Sequence, residues 1–343
     1  MGATTEISWT DSSFNPWIGC TKVSHGCKNC YAEVSTPART SKAKGLPLWG
    51  VDAHRQRTSA ANWKLPLKWD RDAAKAGVRR RVFCASLADI FEDREDLDVI
   101  RADLFDLIRR TPNLDWQILT KRPEAVLRIL RRVGIATDSV DVARMMAQWC
   151  GGDPPVNVWL GTSVEDQEMA DARVSHLVNI HAVVRFLSME PLLGPVDLER
   201  WLTTHRKVTD ADADAPDGAT VDGMARSKND WHRVAGIHWV IVGGESGASA
   251  RPCDVGWIRS VVTQCKAADV AYFVKQLGAR PLMRADTIEG RRAGDHPEDE
   301  WPEGTRFGGV DDGRNVRLKD TKGGDMEEWP ADVRVREMPR GEP

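Results

Sequence analysis

Cys20, Cys27 and Cys30 are the residues of this chain whose type and spacing most directly imply chemistry. The segment Asn15 to Glu33 reads NPWIGCTKVSHGCKNCYAE, a C-x6-C-x2-C arrangement. Thiolates are soft donors that match iron and zinc, and Gly19 and Gly26 let such a loop fold three sulfurs around one centre. A structural zinc is normally closed by a fourth protein ligand, whereas a 4Fe-4S cluster held by three cysteines leaves one iron open as a reaction site. Zinc stays open as an alternative, with His25 or a distant cysteine as fourth ligand, although His25 lies only two residues before Cys27. The chain has seven cysteines, an odd number in a compartment expected to be reducing, so the tight trio suggests a metal before a disulfide. Cys84, Cys150, Cys253 and Cys265 are scattered and read as small buried hydrophobes.

A second group of reactive side chains follows short apolar runs. Ser86 and Asp89 come after Arg81–Ala85; Thr120, Lys121 and Arg122 after Asp115–Leu119; Thr162, Ser163 and Glu165 after Val156–Leu160. Ser188 and Glu190 follow Ala182–Leu187, Glu245 and Ser246 follow Ile237–Val242, and Lys275 and Gln276 follow Ala271–Val274. Gly243 and Gly244, in GGESG, allow a tight turn and close backbone approach to a ligand. Lys121 and Arg122 are fixed cations suited to an anion, while Pro123 equally suits a helix start. Ser188 and Glu190 suit hydroxyl or amino contacts, or simple structural hydrogen bonds. No residue stands out as the catalytic group itself.

The elements that must position these residues are apolar runs alternating with three-and-four spaced helical patterns, at Leu97–Arg110, Pro123–Val133, Gln167–Val178 and Val255–Ala268. Such alternation implies parallel strands with helical crossovers. With an early strand at Phe14–Ile18 the count reaches about seven, near the eight of a closed barrel. An α/β fold, a full or partial (β/α) barrel, is expected, with a doubly wound open sheet as the alternative. In a barrel every polar cluster above converges on the C-terminal mouth.

At 343 residues and 41% hydrophobic, the chain has apolar surface enough for a full core. It lacks a membrane span and a signal-peptide pattern, so a cytoplasmic protein is expected. Its net charge of −3 gives no global attraction to nucleic acid, though local arginine clusters permit one. Most of the fourteen tryptophans are expected in the core. Residues 1–279 are read as the barrel, with a surface insertion at Thr203 to Ala235. Residues 280–343 are read as an irregular extension packed on it.

CKNCYAE resembles the cluster loop of radical S-adenosylmethionine enzymes, with a six-residue first gap where that superfamily usually has three. A wider set of segments is similar to a phage-protein family called the three-Cys-motif family. These are WTDSSFNPWIGCTKVSHGCKNCYAE, QILTKRPE, GTSVEDQ, FLSMEPLLGPV, WVIVGGESG, FVKQLG and KGGDMEEWP, whereas FCASLADIF departs from the pattern. The resemblance implies a barrel of the radical S-adenosylmethionine type and a 4Fe-4S cluster on Cys20, Cys27 and Cys30. It implies that the open iron binds S-adenosyl-L-methionine, whose cleavage yields a radical that takes hydrogen from substrate. Cofactor contacts then fall on Ser86, Asp89, Lys121, Ser163, Glu165, Ser188, Glu190, Gly243, Gly244 and Glu245. The resemblance also implies an electron-donor protein and a companion protein encoded nearby, and it extends the candidate substrates to a nucleobase in DNA or RNA. The residues alone leave two alternatives, a zinc-stabilised nucleic-acid-binding module and a non-catalytic iron-sulfur sensor.

Overall fold

The computed structural model describes residues 5–202, 220–221, 224–225, 236–283, 301–310 and 313–339. Most of the expected insertion at 203–235 therefore lies outside the described residues.

Seven parallel strands form one curled sheet, a half-barrel: β1 (Ser12–Ser13), β2 (Arg80–Cys84), β3 (Leu114–Thr120), β4 (Val158–Ser163), β5 (Val184–Met189), β6 (Trp239–Gly243) and β7 (Ala271–Gln276). The strands lie side by side in chain order, with no reversal. A doubly wound sheet needs such a reversal, so that alternative is excluded. The expected strand at Phe14–Ile18 is corrected: β1 pairs with β2 through Ser12 and Ser13, while Trp17–Ile18 pairs antiparallel with Gln56–Arg57. Pro16, which has no N–H to donate to a ladder, separates the two pairings.

Helices α1 (Thr36–Ala43), α2 (Ala60–Ala76), α3 (Asp98–Arg109), α4 (Val126–Ala136), α5 (Val140–Cys150), α6 (Gln167–Val178) and α7 (Val255–Ala267) complete the main elements. Capping fixes several starts. Ser59 accepts from Asn62 N, Ser139 from Val142 N, Asp166 from Met169 N and Asp254 from Gly256 N. Helix α2 contains Pro66 and still continues, because Trp69 and Ala73 are buried in the main core and outweigh the one lost backbone bond.

Strand alternation separates two apolar layers. Val82, Cys84, Trp116, Ile118, Leu160 and Leu187 point to the helix-covered convex side. On the concave side Phe83, Trp159, Phe186, Trp239 and Phe273 meet Trp9, whose ring centroid lies 4.6 Å from that of Phe83 and 6.1 Å from that of Trp239. This aromatic plug fills the lower interior. Gly161 permits it, since a Cβ there would stand 2.5 Å from the Phe186 ring. The cysteines expected in the core are there: Cys84, Cys253 and Cys265 are buried, and Cys150 is half-buried.

Strand β7 would be an open edge, a row of unpaired backbone groups. The C-terminal segment covers it. Val274 N donates to Val335 O at 2.9 Å, Glu337 N to Tyr272 O at 2.9 Å, and Leu277 N to Gly323 O at 2.8 Å. Trp329 anchors the segment, fully buried with its Nε1 on Gly323 O at 3.1 Å. Before it, Arg306–Val310 and Gly313–Arg317 form a hairpin that joins Pro281–Met283 and Cys253–Asp254 in a four-stranded sheet. The extension expected to be irregular thus contains ordered strands.

Candidate functional site

The excursion between the paired strands Trp17–Ile18 and Gln56–Arg57 folds over the C-terminal mouth as a cap, and it carries all three clustered cysteines. Below it lies a cavity of about 460 Å³. Cys20, Cys27 and Cys30 all line this cavity. So do Ser86, Asp89, Lys121, Arg122, Ser163, Ser188, Glu190, Gly244 and Glu245, together with Lys275 and, from the C-terminal segment, Lys322. The expected convergence of strand ends on one mouth is therefore observed. Gly243 and Glu165 lie outside the lining, behind it.

Four anchors hold the cap. Arg55, buried, pairs with Glu92 at 2.6 Å and donates to Thr21 Oγ1, Gly50 O, Leu48 O and Ala53 O at 2.7 to 3.1 Å. Arg122 pairs with Asp89 at 2.7 Å, donates to Thr21 O at 2.7 Å, and has Nη1 3.9 Å from Cys20 Sγ. Asp89 is further held by Thr120 Oγ1 at 2.7 Å and Lys121 N at 3.0 Å.

Glu165 is the third anchor. It pairs with Lys121 and, at 2.8 Å, with Arg173, and it accepts from Ser24 Oγ at 3.3 Å. Burial works against its charge, but Lys121 and Arg173 more than offset this and hold its carboxyl below the ordinary range. Gly26 rests directly on Glu165, where any Cβ would fall 2.3 Å from Oε1. Glu245, the fourth, accepts from Arg251 N at 2.8 Å, Arg251 Nε at 3.0 Å, Arg251 Nη2 at 2.8 Å and Asn29 Nδ2 at 3.1 Å. Arg251 also donates to His25 O at 2.9 Å, and Asn29 to Ser249 O at 2.8 Å. Burial again opposes the charge on Glu245, and its bonds from Arg251 and Asn29 lower its pKa nonetheless.

Several expected cofactor contacts are thus engaged with the cap: Asp89, Glu165 and Glu245 hold the cysteine segment. Gly243 and Gly244 serve backbone packing, since a Cβ on Gly244 would lie 2.2 Å from Leu277 O and one on Gly243 3.1 Å from Gln276 O. Ser188 and Glu190 face the cavity as expected, with Ser188 Oγ donating to Glu190 Oε2 at 3.4 Å and Lys275 pairing with Glu190 at 2.8 Å. The sequence reading missed Asn29, Arg251, Arg173 and Ser24. None lies in a strand-end cluster, and only the fold brings them to the mouth.

The three sulfurs differ. Cys20 is pushed up to about 12, by burial first and the Asp89 carboxylate next, against the opposing Arg122. Burial also raises Cys30. At Cys27 burial is outweighed by hydrogen bonds from Val23 and Ser24 and by the Lys121 charge, so its thiol lies below the usual range.

Among the described residues no three or more His, Cys, Asp and Glu side chains are gathered closely enough to hold a metal ion directly. A single tetrahedral ion needs its sulfurs about 3.8 Å apart, given Zn–S bonds of about 2.3 Å. Each thiolate of a four-iron cluster binds its own iron and stands further off. Three soft donors opening on a shared space are the donor type a four-iron cluster takes, and the cations beside them, Lys121 and Arg122, are already paired with Glu165 and Asp89.

A family model described as a protein of unknown function, DUF5131, matches residues 4–304, nearly the whole chain. No curated protein and no solved structure matches it. Among the described residues no helix is long and apolar enough to cross a membrane.

Proposed function

We infer that this chain, which belongs to the DUF5131 family of proteins of unknown function, is a radical S-adenosylmethionine enzyme built on a half-barrel of that type. The observation that carries the reading is the convergence of Cys20, Cys27 and Cys30, alone of the seven cysteines, on the cavity where the strand ends meet. A 4Fe-4S cluster on these three, when bound, would supply single electrons at an iron with no protein ligand, the chemistry needed to cleave S-adenosyl-L-methionine and abstract hydrogen.

The chain's own residues have distinct parts in this reading. Cys27, with the lowest thiol pKa of the three, is the first sulfur available as a thiolate. Arg122 places a cation beside Cys20 that favours its ionised form. Ser188, Glu190 and Lys275 offer an acceptor carboxylate, a hydroxyl and an ammonium across one patch of wall, a set that suits a zwitterionic amino acid. Trp9, Phe83 and Leu119 give the cavity an apolar side, and the cap covers part of its mouth.

The test is anaerobic reconstitution with iron and sulfide, followed by reduction in the presence of S-adenosyl-L-methionine. About four irons per chain, a broad visible absorption and release of 5'-deoxyadenosine are expected. Full iron loading with no release under any reductant would leave a cluster sensor. One tightly held zinc and no iron would leave a zinc-stabilised nucleic-acid-binding module. Repeating the assay with oligonucleotides present asks whether a nucleobase is the substrate.

A further inference from the structure

The segment Lys322–Pro330, KGGDMEEWP, does more than cover the edge of β7: it brings Lys322 to the wall of the cavity. The backbone there is fixed. The Asp320 carboxylate accepts from Lys322 N at 3.0 Å, Gly324 N at 2.6 Å and Asp325 N at 3.0 Å. Gly323 has a φ of +66°, and a Cβ on it would fall 2.3 Å from Gly278 O, so the turn sits directly on the chain leaving β7. The lysine side chain, 65% exposed, can swing from this fixed base.

Five cations line the cavity, Lys22, Lys121, Arg122, Lys275 and Lys322, and their partners distinguish them. Lys121, Arg122 and Lys275 pair with Glu165, Asp89 and Glu190, carboxylates at most 13% exposed, so taking away any of these cations strands a buried charge. Lys22 pairs with Glu33 at 2.6 Å inside the cap. Lys322 pairs with Glu6 at 3.2 Å, and Glu6 is 91% exposed. That distance exceeds the roughly 2.7–2.9 Å of a strong charge-assisted bond, and an ion pair so exposed contributes little. Water solvates the Glu6 carboxylate with little loss when another anion takes the lysine. Of the five, Lys322 is the cation most easily reassigned.

The surroundings define what that anion carries. Ile7 and Trp9 share a short segment with Glu6, and both line the cavity beside Phe83, whose ring centroid lies 4.6 Å from that of Trp9. An apolar or ring-shaped body can lie against this side while its charged end reaches Lys322. We propose that Lys322 is the specificity-determining cation of the cavity: it selects a small organic anion, an apolar or ring-bearing body with a phosphate or carboxylate group, by exchanging Glu6 for that group. A lysine presents three donors on a point charge, which suits the oxygens of either anion. Calling this ligand the substrate rests on the function inferred above; the binding itself does not.

The test uses the full chain, iron-free and reconstituted, with phenyl phosphate and benzoate as probes. Phenol is the ring without a charge and inorganic phosphate the anion without a ring, and titration calorimetry follows binding. Phenyl phosphate or benzoate should bind about fivefold more tightly than phenol and inorganic phosphate, and the tighter of the two names the group selected. K322A should weaken that probe about fivefold and leave phenol unchanged, whereas K322R should keep about half of the affinity or more. E6Q removes the competing carboxylate and should tighten the probe about two- to fivefold, a gain that loss of structure would not produce. K319A, which alters an exposed lysine outside the lining, controls for general attraction of anions and should change nothing. Neither probe binding more tightly than both phenol and inorganic phosphate, equal losses in K322A and K319A, or no gain in E6Q overturns the proposal. So does binding of S-adenosyl-L-methionine to the reconstituted chain that falls in K322A as far as the probe does, because Lys322 then serves the cofactor. Wild-type chain that takes up no iron refutes the cluster reading alone and leaves the iron-free result standing.

Discussion

Substituting Glu245 by Gln keeps the side chain's size and one acceptor oxygen but removes the charge that Arg251 and Asn29 share. In the wild type that carboxylate accepts four hydrogen bonds, three from Arg251 and one from Asn29, and it is only 8% exposed. Hydrogen bonds to charged groups contribute about 1.5–3 kcal/mol each, and removing one partner of a buried pair costs about 3–5 kcal/mol. The Arg251 side chain is 24% exposed, so water compensates for part of the loss and about 2–3 kcal/mol is the expected change. At about 1.4 kcal/mol per factor of ten, opening of the loop around His25 and Asn29 should become about 30- to 150-fold more frequent. Hydrogen exchange on the metal-free protein reads this directly: amides of 25–33 should lose protection by that factor, while those of β3 and β4 should not change. Asp93→Asn, which breaks surface ion pairs with Arg128 at 2.8 Å and Arg132 at 3.1 Å, is the control and, at about 0.5 kcal/mol for each pair, should shift its neighbours by about fivefold at most. If E245Q changes exchange in 25–33 no more than that control, the carboxylate does not hold the cap and the account of the fourth anchor is wrong.

Other consequences follow from the same geometry. Gly26→Ala forces a methyl group against the Glu165 carboxylate, so the cap should lift and iron uptake on reconstitution should fall to less than half, with the global melting temperature nearly unchanged. Iodoacetamide at pH 8 should alkylate Cys27 well before Cys20, because a lowered pKa gives the former far more thiolate than a thiol at about 12; peptide mass spectrometry over a time course checks the order. Lowering the pH should loosen the cap. Glu165 and Glu245 have folded pKa values below 4.5, so their stabilisation is complete above that pH and is lost as pH falls through the lower folded values, which exchange in 24–30 at pH 3–5 would register. Trp329→Ala should destabilise by about 3–5 kcal/mol and expose the amides of Val274 and Leu277, measured by urea unfolding and exchange.

The barrel strands were legible because each is a compact apolar run ended by polar residues, and the observed β3, β4, β5 and β6 lie within two residues of the expected starts. The mouth was legible for the same reason: Ser86, Lys121, Ser163, Ser188 and Glu190 needed only the topology to meet. Helix α2 was missed because Pro66 reads locally as a break, and the tertiary burial of Trp69 that overrides it has no local sign. The hairpin at 306–317 was missed because Gly308 and Gly309 dilute its strand pattern. The largest illegible part was the division of labour among the carboxylates. Asp89, Glu165 and Glu245 look alike at strand ends, and only the distant cap groups that meet them or their arginines, Thr21, Ser24, His25 and Asn29, show that they hold the cap.

The link from Asn29 to Glu245 spans 216 residues of sequence. A ribosome adding about 5–20 residues per second needs about 10–40 s to supply the second partner after making the first. For that interval the segment around His25 and Asn29 lacks its fourth anchor, and the thiols beside it are more open to an iron donor or an oxidant than in the finished chain. Loading of the sulfurs during translation would thus meet a looser loop, and loading afterwards would meet a tighter one.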